Sequence, residues 1–383
     1  MIDNRKLHMG MVGGGEGAFI GAVHRLAGVM SGQAELVAGC FSRDADNTRR
    51  TGQALYLDPA RCYASYDEMA EREAARPEGE RIDFVSVVTP TASHFAIARR
   101  FLEAGFHVVC DKPLTYSASE AERLADIARR AGRVLAVTYN YCGYPLVRQA
   151  RQMVRGGEIG RVRKALVEYL QDFLMVPIEK TGHKGALWRL DPAQVGPAGT
   201  MGEAGVHAFH LLEYVTGDPI AALCADRTTF LPDRALEEDA NLLLRLRGGG
   251  KGVLTVSQVA AGEENNLSLR IYGETGALIW RQEEPNSLIL QRHDQPRQIL
   301  RAGHREYLGE DAARATRLPA GHPEGYFEAF ATIYDDIFAA IRAGAPPARP
   351  DYPDAEAGLR GLRLVERAVE SCEGGSVWVE TAD

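Results

Sequence analysis

The sequence predicts two domains, an α/β domain built on a doubly wound parallel sheet and an α+β domain with a large, mostly antiparallel open sheet. The chain has 383 residues, more than one ordinary hydrophobic core holds. In the first part, short apolar strands alternate with helices, as in parallel sheets. From about Gly156, strand-like segments follow one another through hairpin turns. We therefore assign residues 1–150 to the first domain and 151–383 to the second, with the late helices able to pack back on the first.

Composition and charge restrict the class of protein. Hydrophobic residues make up 45% and charged residues 25% of the chain, which is typical of a soluble globular protein. A net charge of −8 argues against nucleic acid as a general partner, because binding phosphates needs a basic surface. The six cysteines have no paired spacing, so neither a disulfide framework nor a zinc knuckle is indicated. Met1 to His8 is polar and no apolar run reaches 18 residues, so we expect a cytoplasmic protein with no membrane partner.

The first strand, Leu7 to Val12, runs into a glycine-rich loop and then a helix. Gly13, Gly15 and Ala18 fit the pattern GxGxxG/A, in which glycines allow a tight turn and bring a pyrophosphate close to a helix N-terminus. Strand, glycine loop and helix in this order indicate a Rossmann dinucleotide-binding domain. The loop can also end at Gly21, about three residues later than usual, so the sequence leaves open which amides hold the phosphate.

The second strand, Glu35 to Phe41, ends where a Rossmann domain selects the ribose of its cofactor. A carboxylate there binds the 2′-hydroxyl of NAD, whereas an arginine accommodates the 2′-phosphate of NADP. Ser42 and Arg43 come first in this chain, and Asp44 follows late enough to begin the next helix. We therefore predict NAD(P)(H) as the cofactor with a weak preference for NADP. Asp44 on the ribose, and Arg43 in a solvated loop, are the alternatives.

The continuous apolar strand Ile82 to Val88 has the composition of a central parallel strand. It ends in Thr89 and Pro90, with His94 about one helical turn further on. A proline at this edge can open the sheet beside the cofactor, or it can simply end the strand. We include all three residues among the candidates for cofactor binding.

A second such edge follows the strand Phe106 to Cys110, which ends in Asp111, Lys112 and Pro113. Proline has no amide hydrogen and a fixed φ, so it stops the strand and directs the residue before it. The carboxyl ends of parallel strands are where ligands bind in such folds. Lys112 is therefore predicted to face a ligand. The alternative is that Lys112 is a surface lysine in an ordinary loop.

The second half of the chain has the composition of an α+β domain. Six segments after Gly217 have strand character: Ile220 to Phe230, Ala240 to Leu246, Gly252 to Val259, Leu267 to Tyr272, Ala277 to Arg281 and Ser287 to Arg292. Asp172 to Leu187 is predicted to be a long irregular loop. An open sheet of this size leaves one face exposed unless another element or chain packs on it. We therefore expect a homodimer or homotetramer that associates through the sheet.

A second group of polar residues lies on a helix predicted over Gly202 to Val215. Spacings of four and three residues place Glu203, His207 and His210 on one face of this otherwise apolar helix. Buried carboxylate and imidazole groups need partners, so each histidine is either functional or a satisfied core residue. Glutamate and two histidines in helical register can also bind zinc, but no clear further ligand is present, and we predict no metal.

Together these motifs resemble the glucose-fructose oxidoreductase, inositol dehydrogenase and rhizopine-catabolism (Gfo/Idh/MocA) family, in the same order and at similar spacing over nearly the whole chain. The resemblance implies a Rossmann domain joined to a domain with a large open sheet, NAD(P)-dependent oxidation or reduction of sugar or cyclitol alcohols, and frequent dimers or tetramers. It implies that Lys112 is the catalytic lysine and His207 the catalytic histidine. Glu203 stands where the family usually has aspartate.

Three departures from the family pattern affect the expected site. Asp111 replaces the more common glutamate, and Glu203 is one methylene longer than the usual aspartate. After Asn140, where an arginine is frequent, Tyr141, Cys142 and Gly143 follow, which makes a phosphorylated sugar a less favoured substrate. The candidates for the sugar pocket are Asn140, Trp188, Arg189, His210, His322, Glu324 and Tyr326.

Hydride transfer from a secondary alcohol needs a base, a group that stabilises the alkoxide, and a carbinol hydrogen held against the nicotinamide. We assign His207 as the base and Lys112 as its electrostatic partner, with Glu203 orienting the imidazole. A dinucleotide-binding regulator without turnover, and a metal-dependent hydrolase or lyase using Glu203, His207 and His210, are the alternatives.

Overall fold

The computed structural model describes residues 5–381, apart from the side chain of Lys184. The first four residues of the polar N-terminus considered above therefore lie outside the described residues. The chain forms two compact units, residues 5–140 with 326–359, and residues 141–325 with 360–381. The chain changes unit at residue 140, whereas the sequence-based boundary was residue 150, and residues 326–359 belong to the first unit, which the sequence-based division allowed for the late helices.

The helices and strands alternate in the first unit, and strands dominate the second. The strands are β1 Leu7–Gly13, β2 Ala34–Cys40, β3 Phe84–Val88, β4 His107–Cys110, β5 Leu135–Val137, β6 Lys164–Leu170, β7 Ile220–Thr228, β8 Asp239–Leu246, β9 Lys251–Ser257, β10 Asn266–Tyr272, β11 Gly276–Arg281, β12 Ser287–Arg292, β13 Gln298–Arg301 and β14 Val379–Glu380. The helices are α1 Phe19–Val29, α2 Ala45–Ala54, α3 Tyr66–Ala74, α4 His94–Glu103, α5 Ala118–Ala131, α6 Pro145–Arg155, α7 Lys184–Arg189, α8 Pro192–Val195, α9 Val206–Thr216, α10 Glu310–Ala315, α11 Tyr326–Arg342 and α12 Ala355–Glu373.

The first unit has a five-stranded parallel sheet in the order β2-β1-β3-β4-β5. Every residue of the central strand β3 is buried, which explains why four of its five residues are apolar. α11 packs against α1 in this unit, and its Phe338 ring lies 5.5 Å from the ring of Phe84. The predicted Rossmann-type domain is confirmed.

Helix boundaries near the Lys112 turn follow from side-chain and glycine capping. The Ser117 hydroxyl accepts the amide hydrogen of Glu120 at 3.3 Å and so caps the N-terminus of α5. The same helix ends at Gly132, whose φ of 63° is left-handed and free of steric cost for glycine. The chain therefore turns from β4 into α5 within a few residues.

The second unit has a nine-stranded sheet in the order β13-β12-β11-β10-β6-β9-β8-β7-β14. β6 and β9 run parallel and the other neighbouring pairs run antiparallel, so the predicted large, mostly antiparallel sheet is confirmed. α9 packs on β6, β9 and β10, and α6 packs on α9. The helix that carries His207 is therefore buried against the sheet.

Three parts of the second unit differ from the sequence-based assignment. The predicted loop 172–187 runs into α7, so Trp188 and Arg189 lie on a short helix. α6 was missed because its buried residues include the polar Arg148, Gln149 and Arg151, which hide its apolar face. The segment Met201–Gly205 is a π-helical turn in front of α9, so the helix expected from Gly202 is not uniformly α-helical. In the described part of the chain, no helix is long and apolar enough to cross a membrane.

Candidate active site

The glycine loop brings α1 into close contact with the end of β1. Gly13 and Gly14 have φ values of 87° and 71°, which few other residues adopt. A Cβ atom on Gly21 would lie 2.3 Å from the Cα of Gly14, and a Cβ on Gly14 would lie 2.7 Å from the Cα of Gly21. Gly21 thus makes the close helix packing of a dinucleotide loop, as in the longer of the two predicted alignments.

Several amides of the loop already have protein acceptors. Gly15 N–H donates to the carbonyl of Phe41 at 3.1 Å, and Ala18 N–H donates to the carbonyl of Gly15 at 3.0 Å. α1 begins after Ala18 with no side-chain cap and no acidic residue in its first turn. The bare glycine cradle and the uncapped helix start fit a pyrophosphate, because a helix N-terminus attracts anions.

At the end of β2, Ser42 and Asp44 take part in local hydrogen bonds. The Ser42 amide donates to Thr48 Oγ1 at 3.0 Å, and the Asp44 amide donates to Ser42 Oγ at 3.1 Å. Asp44 caps α2, because its carboxylate accepts the amide hydrogen of Asp46 at 2.9 Å. Asp44 therefore begins the helix, as its late position in the sequence suggested, and the alternative was that it binds the ribose. Arg43 is exposed beside it.

His94 connects the two strand ends that were predicted to face the cofactor. Its Nε2 lies 2.7 Å from the carbonyl oxygen of Thr89, and its Nδ1 lies 2.9 Å from that of Pro113. Burial lowers the pKa of His94, while the two carbonyls act in the opposite direction. The imidazole therefore braces the segment containing Pro90 against the Lys112 turn. Its predicted contact with the cofactor stays a prediction.

The side chain of Asp111 contacts two other residues of the first unit. The Thr138 hydroxyl donates to Asp111 Oδ1 at 2.8 Å, and His24 Nε2 lies 3.6 Å from the same oxygen. Burial raises the pKa of Asp111, but His24, Lys112 and Thr138 outweigh it and hold this pKa well below its usual range. The residue before Lys112 is therefore a carboxylate at neutral pH.

His207 lies at the start of α9, where it is 6% exposed. The Tyr141 ring meets the imidazole edge to face at a centroid distance of 4.8 Å, and Tyr169 lies 6.3 Å away on a similar tilt. The two phenol oxygens are 2.6 Å apart, and the Tyr169 hydroxyl donates to Asn265 Oδ1 at 2.9 Å. Sequence reasoning missed Tyr169 and Asn265, which no motif marks. Tyr169 faces the imidazole, and Asn265 fixes the Tyr169 hydroxyl.

Glu203 lies in the π-helical turn Met201–Gly205, four residues before His207. Arg189 Nε donates to Glu203 Oε1 at 3.2 Å, and the same guanidinium stacks over the Trp188 ring at 4.4 Å. Burial raises the pKa of the Tyr141 phenol, and the negative charge of Glu203 acts in the same direction. The structure thus brings Glu203 together with two predicted pocket residues, Trp188 and Arg189.

The other predicted pocket residues differ in their surroundings. His210 stacks on Tyr214 at 5.6 Å, and burial together with the charge of Arg151 lowers its pKa to about 3. His322 is exposed. The buried Glu324 accepts the amide hydrogens of Arg317 at 2.6 Å and Leu318 at 2.7 Å. Glu324 therefore shapes a turn, and His210 contributes to an aromatic and cationic cluster.

Two pocket candidates belong to the first unit. Asn140 is 1% exposed, and its side-chain Nδ2 has no hydrogen-bond partner among residues 5–381. A buried amide donor without a partner costs folding free energy, so we expect this group to donate a hydrogen bond to a ligand. Tyr326 begins α11, and its ring packs against Phe330 at 5.1 Å. No group of three or more His, Cys, Asp or Glu in the described residues could hold a metal ion.

The parallel sheet with its glycine loop, and the lysine turn at its carboxyl edge, define a Rossmann-type NAD-binding oxidoreductase. Two family models support this: one for the oxidoreductase family with an NAD-binding Rossmann fold matches residues 7–139, and one for the GFO/IDH/MocA C-terminal domain matches residues 147–279. The chain belongs to the Gfo/Idh/MocA family of NAD-dependent oxidoreductases, which makes it a dehydrogenase or reductase acting on CH–OH groups.

Individual relatives agree with this assignment. The uncharacterized oxidoreductase YfiI of Bacillus subtilis (strain 168) is 34% identical, covering 99% of this chain and 98% of its own. The crystal structure of an inositol dehydrogenase homolog from Azotobacter vinelandii with NAD+ is 39% identical, covers 98% of both chains and has a TM-score of 0.92. A complex of an inositol dehydrogenase homolog from the same organism with NADH and myo-inositol is 38% identical, again covers 98% of both chains and has a TM-score of 0.89.

Proposed function

We propose that this enzyme transfers a hydride between the nicotinamide and a secondary alcohol or ketone of a cyclitol, sugar or sugar derivative. Two observations support the proposal: the first unit carries the Lys112 turn at its sheet edge, and the second carries His207 at the start of buried α9 with Glu203 in the π-helical turn before it. Similarity to the myo-inositol complex from Azotobacter vinelandii supports a polyol as the substrate class.

The first unit would hold the cofactor and supply the cation. The loop at Gly13, Gly14 and Gly15 would hold the pyrophosphate, and glycine is needed there because a Cβ on each would lie only 2.4–2.8 Å from the nearest protein atom. The bound nicotinamide accepts or returns the hydride. Lys112 follows a carboxylate fixed by buried contacts, and its ammonium stabilises the alkoxide that develops as the hydride leaves. Asn140 donates an amide hydrogen to a substrate oxygen.

The second unit would supply the base. His207 removes the hydroxyl proton of the alcohol, and its imidazolium returns the proton in the reverse reaction. The Tyr141 and Tyr169 rings limit rotation of the imidazole. Glu203 stabilises the charged form of His207, and its ion pair with Arg189 holds that carboxylate in position. The predicted contacts of Trp188, His210, His322 and Tyr326 with the substrate remain proposals, with Trp188 the best supported because it stacks on Arg189.

For the cofactor we propose NAD. The sequence-based preference for NADP rested on Ser42 and Arg43, and the comparisons do not support it, because the similar structures were solved with NAD+ and NADH. Asp44 caps α2 through its Oδ1, so the proposal of NAD is based on the similar structures and not on this carboxylate. A comparison of kcat/KM for NAD and NADP tests this proposal, and a higher value for NADP would contradict it.

The central experiment measures reduction of NAD in the presence of a panel of cyclitols and sugars, with myo-inositol as the first compound. Turnover with at least one polyol, and its loss in His207→Ala, is the expected result. Cofactor binding without turnover on any compound would favour the dinucleotide-binding regulator considered above. The hydrolase or lyase alternative has no support in the described residues, and metal analysis of the purified protein addresses it directly.

We also propose that two copies associate through the outer face of the large sheet. Pairing register aligns a row of side chains across seven neighbouring strands: Leu243, Val253, Leu166, Arg270, Ile279, Ile289 and Ile299. Six of the seven are aliphatic, and Leu243 and Ile299 are 51% and 58% exposed. An apolar row of this length needs a cover, and a second copy presents the same row.

Light scattering after size-exclusion chromatography tests this association. The unmodified protein is expected to run as a dimer or tetramer, and Val253→Glu is expected to shift it toward the monomer. Tyr56→Glu is the matched control, because Tyr56 is 97% exposed on the first unit. A monomeric unmodified protein, or a Val253→Glu variant of unchanged mass, would contradict the proposal.

A further inference from the structure

A buried polar cluster in the first unit lies beside the Lys112 turn. It is built by one residue each from α1, β3 and α11 and by the residue that follows β4, namely His24, Ser86, Tyr334 and Asp111. His24, Ser86 and Tyr334 are fully buried. Burying polar side chains without hydrogen bonds is unfavourable, so we ask which contacts stabilise these four.

The imidazole of His24 connects the hydroxyl groups to the carboxylate. Its Nδ1 lies 2.8 Å from the Tyr334 hydroxyl and 3.1 Å from Ser86 Oγ, and the two hydroxyls are 3.0 Å apart. Its Nε2 lies 3.6 Å from Asp111 Oδ1, a distance that allows electrostatic attraction but is too long for a hydrogen bond, and it makes no hydrogen bond within the described residues. We assign the ring hydrogen to Nε2, where it faces Asp111, because a carboxylate can only accept, and Nδ1 then accepts from a hydroxyl.

Serine, histidine and aspartate are also the residue types of hydrolytic triads, but this cluster cannot act as one. Ser86 is on the central strand β3 and is 0% exposed, so no substrate reaches its hydroxyl. The ring of Phe330 covers His24 edge-on at a centroid distance of 5.1 Å. The cluster therefore acts on its neighbours within the protein.

The neighbour that it reaches is the start of the Lys112 turn. Asp111 Oδ1 accepts a hydrogen bond from the Thr138 hydroxyl at 2.8 Å, and the same oxygen is faced by His24 Nε2 at 3.6 Å. The Asp111 amide donates to the Val87 carbonyl at 2.9 Å, so the main chain is held as well. Both the side chain and the backbone of the residue before Lys112 are thus fixed.

We propose that His24 is a positioning residue for catalysis: it holds the Asp111 carboxylate and thereby fixes the direction in which Lys112 leaves the sheet. The inference rests on the function proposed above for Lys112. Because α1 also begins at the glycine loop, where Arg25 donates to the Gly14 carbonyl at 2.6 Å, His24 links the dinucleotide loop to the lysine turn.

Two conservative variants separate the two nitrogens of His24. The amide nitrogen of Gln can replace Nε2 and keep a donor toward Asp111, whereas that of Asn replaces Nδ1 and loses this donor. We expect His24→Gln to keep kcat within about threefold and His24→Asn to lower it about tenfold or more, since small misplacements of catalytic groups are costly. KM for myo-inositol, or for the panel compound oxidised fastest, and the NADH dissociation constant should change less than about twofold.

Equal losses of kcat in both variants would overturn the inference, because they would show only that the cavity needs a histidine. The Lys112→Ala background provides a second readout: His24→Asn should have no further effect on kcat there. If Lys112→Ala alone leaves kcat unchanged, the proposed function of Lys112 fails, whatever His24 does. If Lys112→Ala lowers kcat and His24→Asn does not, the role of His24 fails while that of Lys112 stands.

Should His24→Asn fail to fold, Thr138→Val tests the same role of Asp111 by removing its hydrogen bond from Thr138. Valine has nearly the shape of threonine and removes the hydroxyl that holds Asp111. We expect kcat to fall about threefold to tenfold with NADH affinity unchanged, since only the lysine turn is loosened. A folded Thr138→Val variant with unchanged kcat would overturn the inference.

Discussion

Gly21→Ala is expected to damage the cofactor site through a clash between backbone and helix. In an ordinary helix this change stabilises by about 1 kcal/mol, because alanine has the higher helix propensity. Here the new Cβ would lie 2.3 Å from Gly14 Cα and 2.6 Å from Gly14 O, well inside contact distance. Neither atom belongs to a flexible side chain, so α1 or the loop has to move, which costs about 3 kcal/mol or more. The net loss is therefore about 2 kcal/mol.

Gly28→Ala on the same helix is the matched control. Its Cβ would lie 3.2 Å from Met9 Sδ, the flexible part of a side chain that can shift. Urea unfolding and NADH titration by fluorescence would be compared for both variants. We expect Gly21→Ala to unfold at lower urea concentration and to bind NADH at least about tenfold more weakly, since 1.4 kcal/mol is a factor of ten. Equal stability and equal NADH affinity of the two variants would refute the packing argument.

Replacing His207 with alanine should lower kcat by roughly 10² to 10⁴ with little change in NADH affinity, and near-normal turnover in a folded variant would remove His207 from the mechanism. Lys112→Ala should slow chemistry more than it weakens substrate binding, whereas a rise in KM alone would make Lys112 a binding residue. If Arg43 contacts a 2′-phosphate, Arg43→Ala should cost NADP about 1 to 3 kcal/mol and leave NAD unchanged, and equal losses would limit Arg43 to supporting its loop. Burial and the charge of Arg133 lower the pKa of His107 to about 4, so the unfolded chain binds more protons below the ordinary value of 6.5. Stability should therefore fall by about 2 kcal/mol from pH 7 to pH 5 on account of this residue, and urea unfolding of His107→Gln should lack that loss.

Much of the site could be predicted because its parts are local in sequence. The glycine loop, the Asp111–Lys112 turn and the His207 helix are short motifs whose chemistry follows from residue type and spacing. Prediction failed where a partner lies far along the chain. His24 is 310 residues from Tyr334, and nothing in its own helix shows that its imidazole faces a hydroxyl and a carboxylate.

Competing local interactions explain the remaining differences. Asp44 could serve either the ribose or the next helix, and the cap of α2 uses it. Glu203 and His207 were placed on a regular α-helix, but Glu203 lies in a π-helical turn that precedes α9, and such turns leave no reliable mark on periodicity. The ion pair of Glu203 with Arg189 depends on where α7 packs, which the apparently irregular sequence before it does not reveal.

The discontinuous composition of the first unit determines when it can be completed during synthesis. α11 supplies Tyr334 and Phe338, which pack against Phe84 of the central strand, yet it is translated after the whole of residues 141–325. Domains tend to fold in order as they leave the ribosome. In this protein, the face of the parallel sheet that α11 covers stays exposed until most of the chain has emerged. A polypeptide released before residue 326 would expose that apolar surface and become a substrate for chaperones. A gene fragment ending at residue 140 would for the same reason encode an incomplete nucleotide-binding unit.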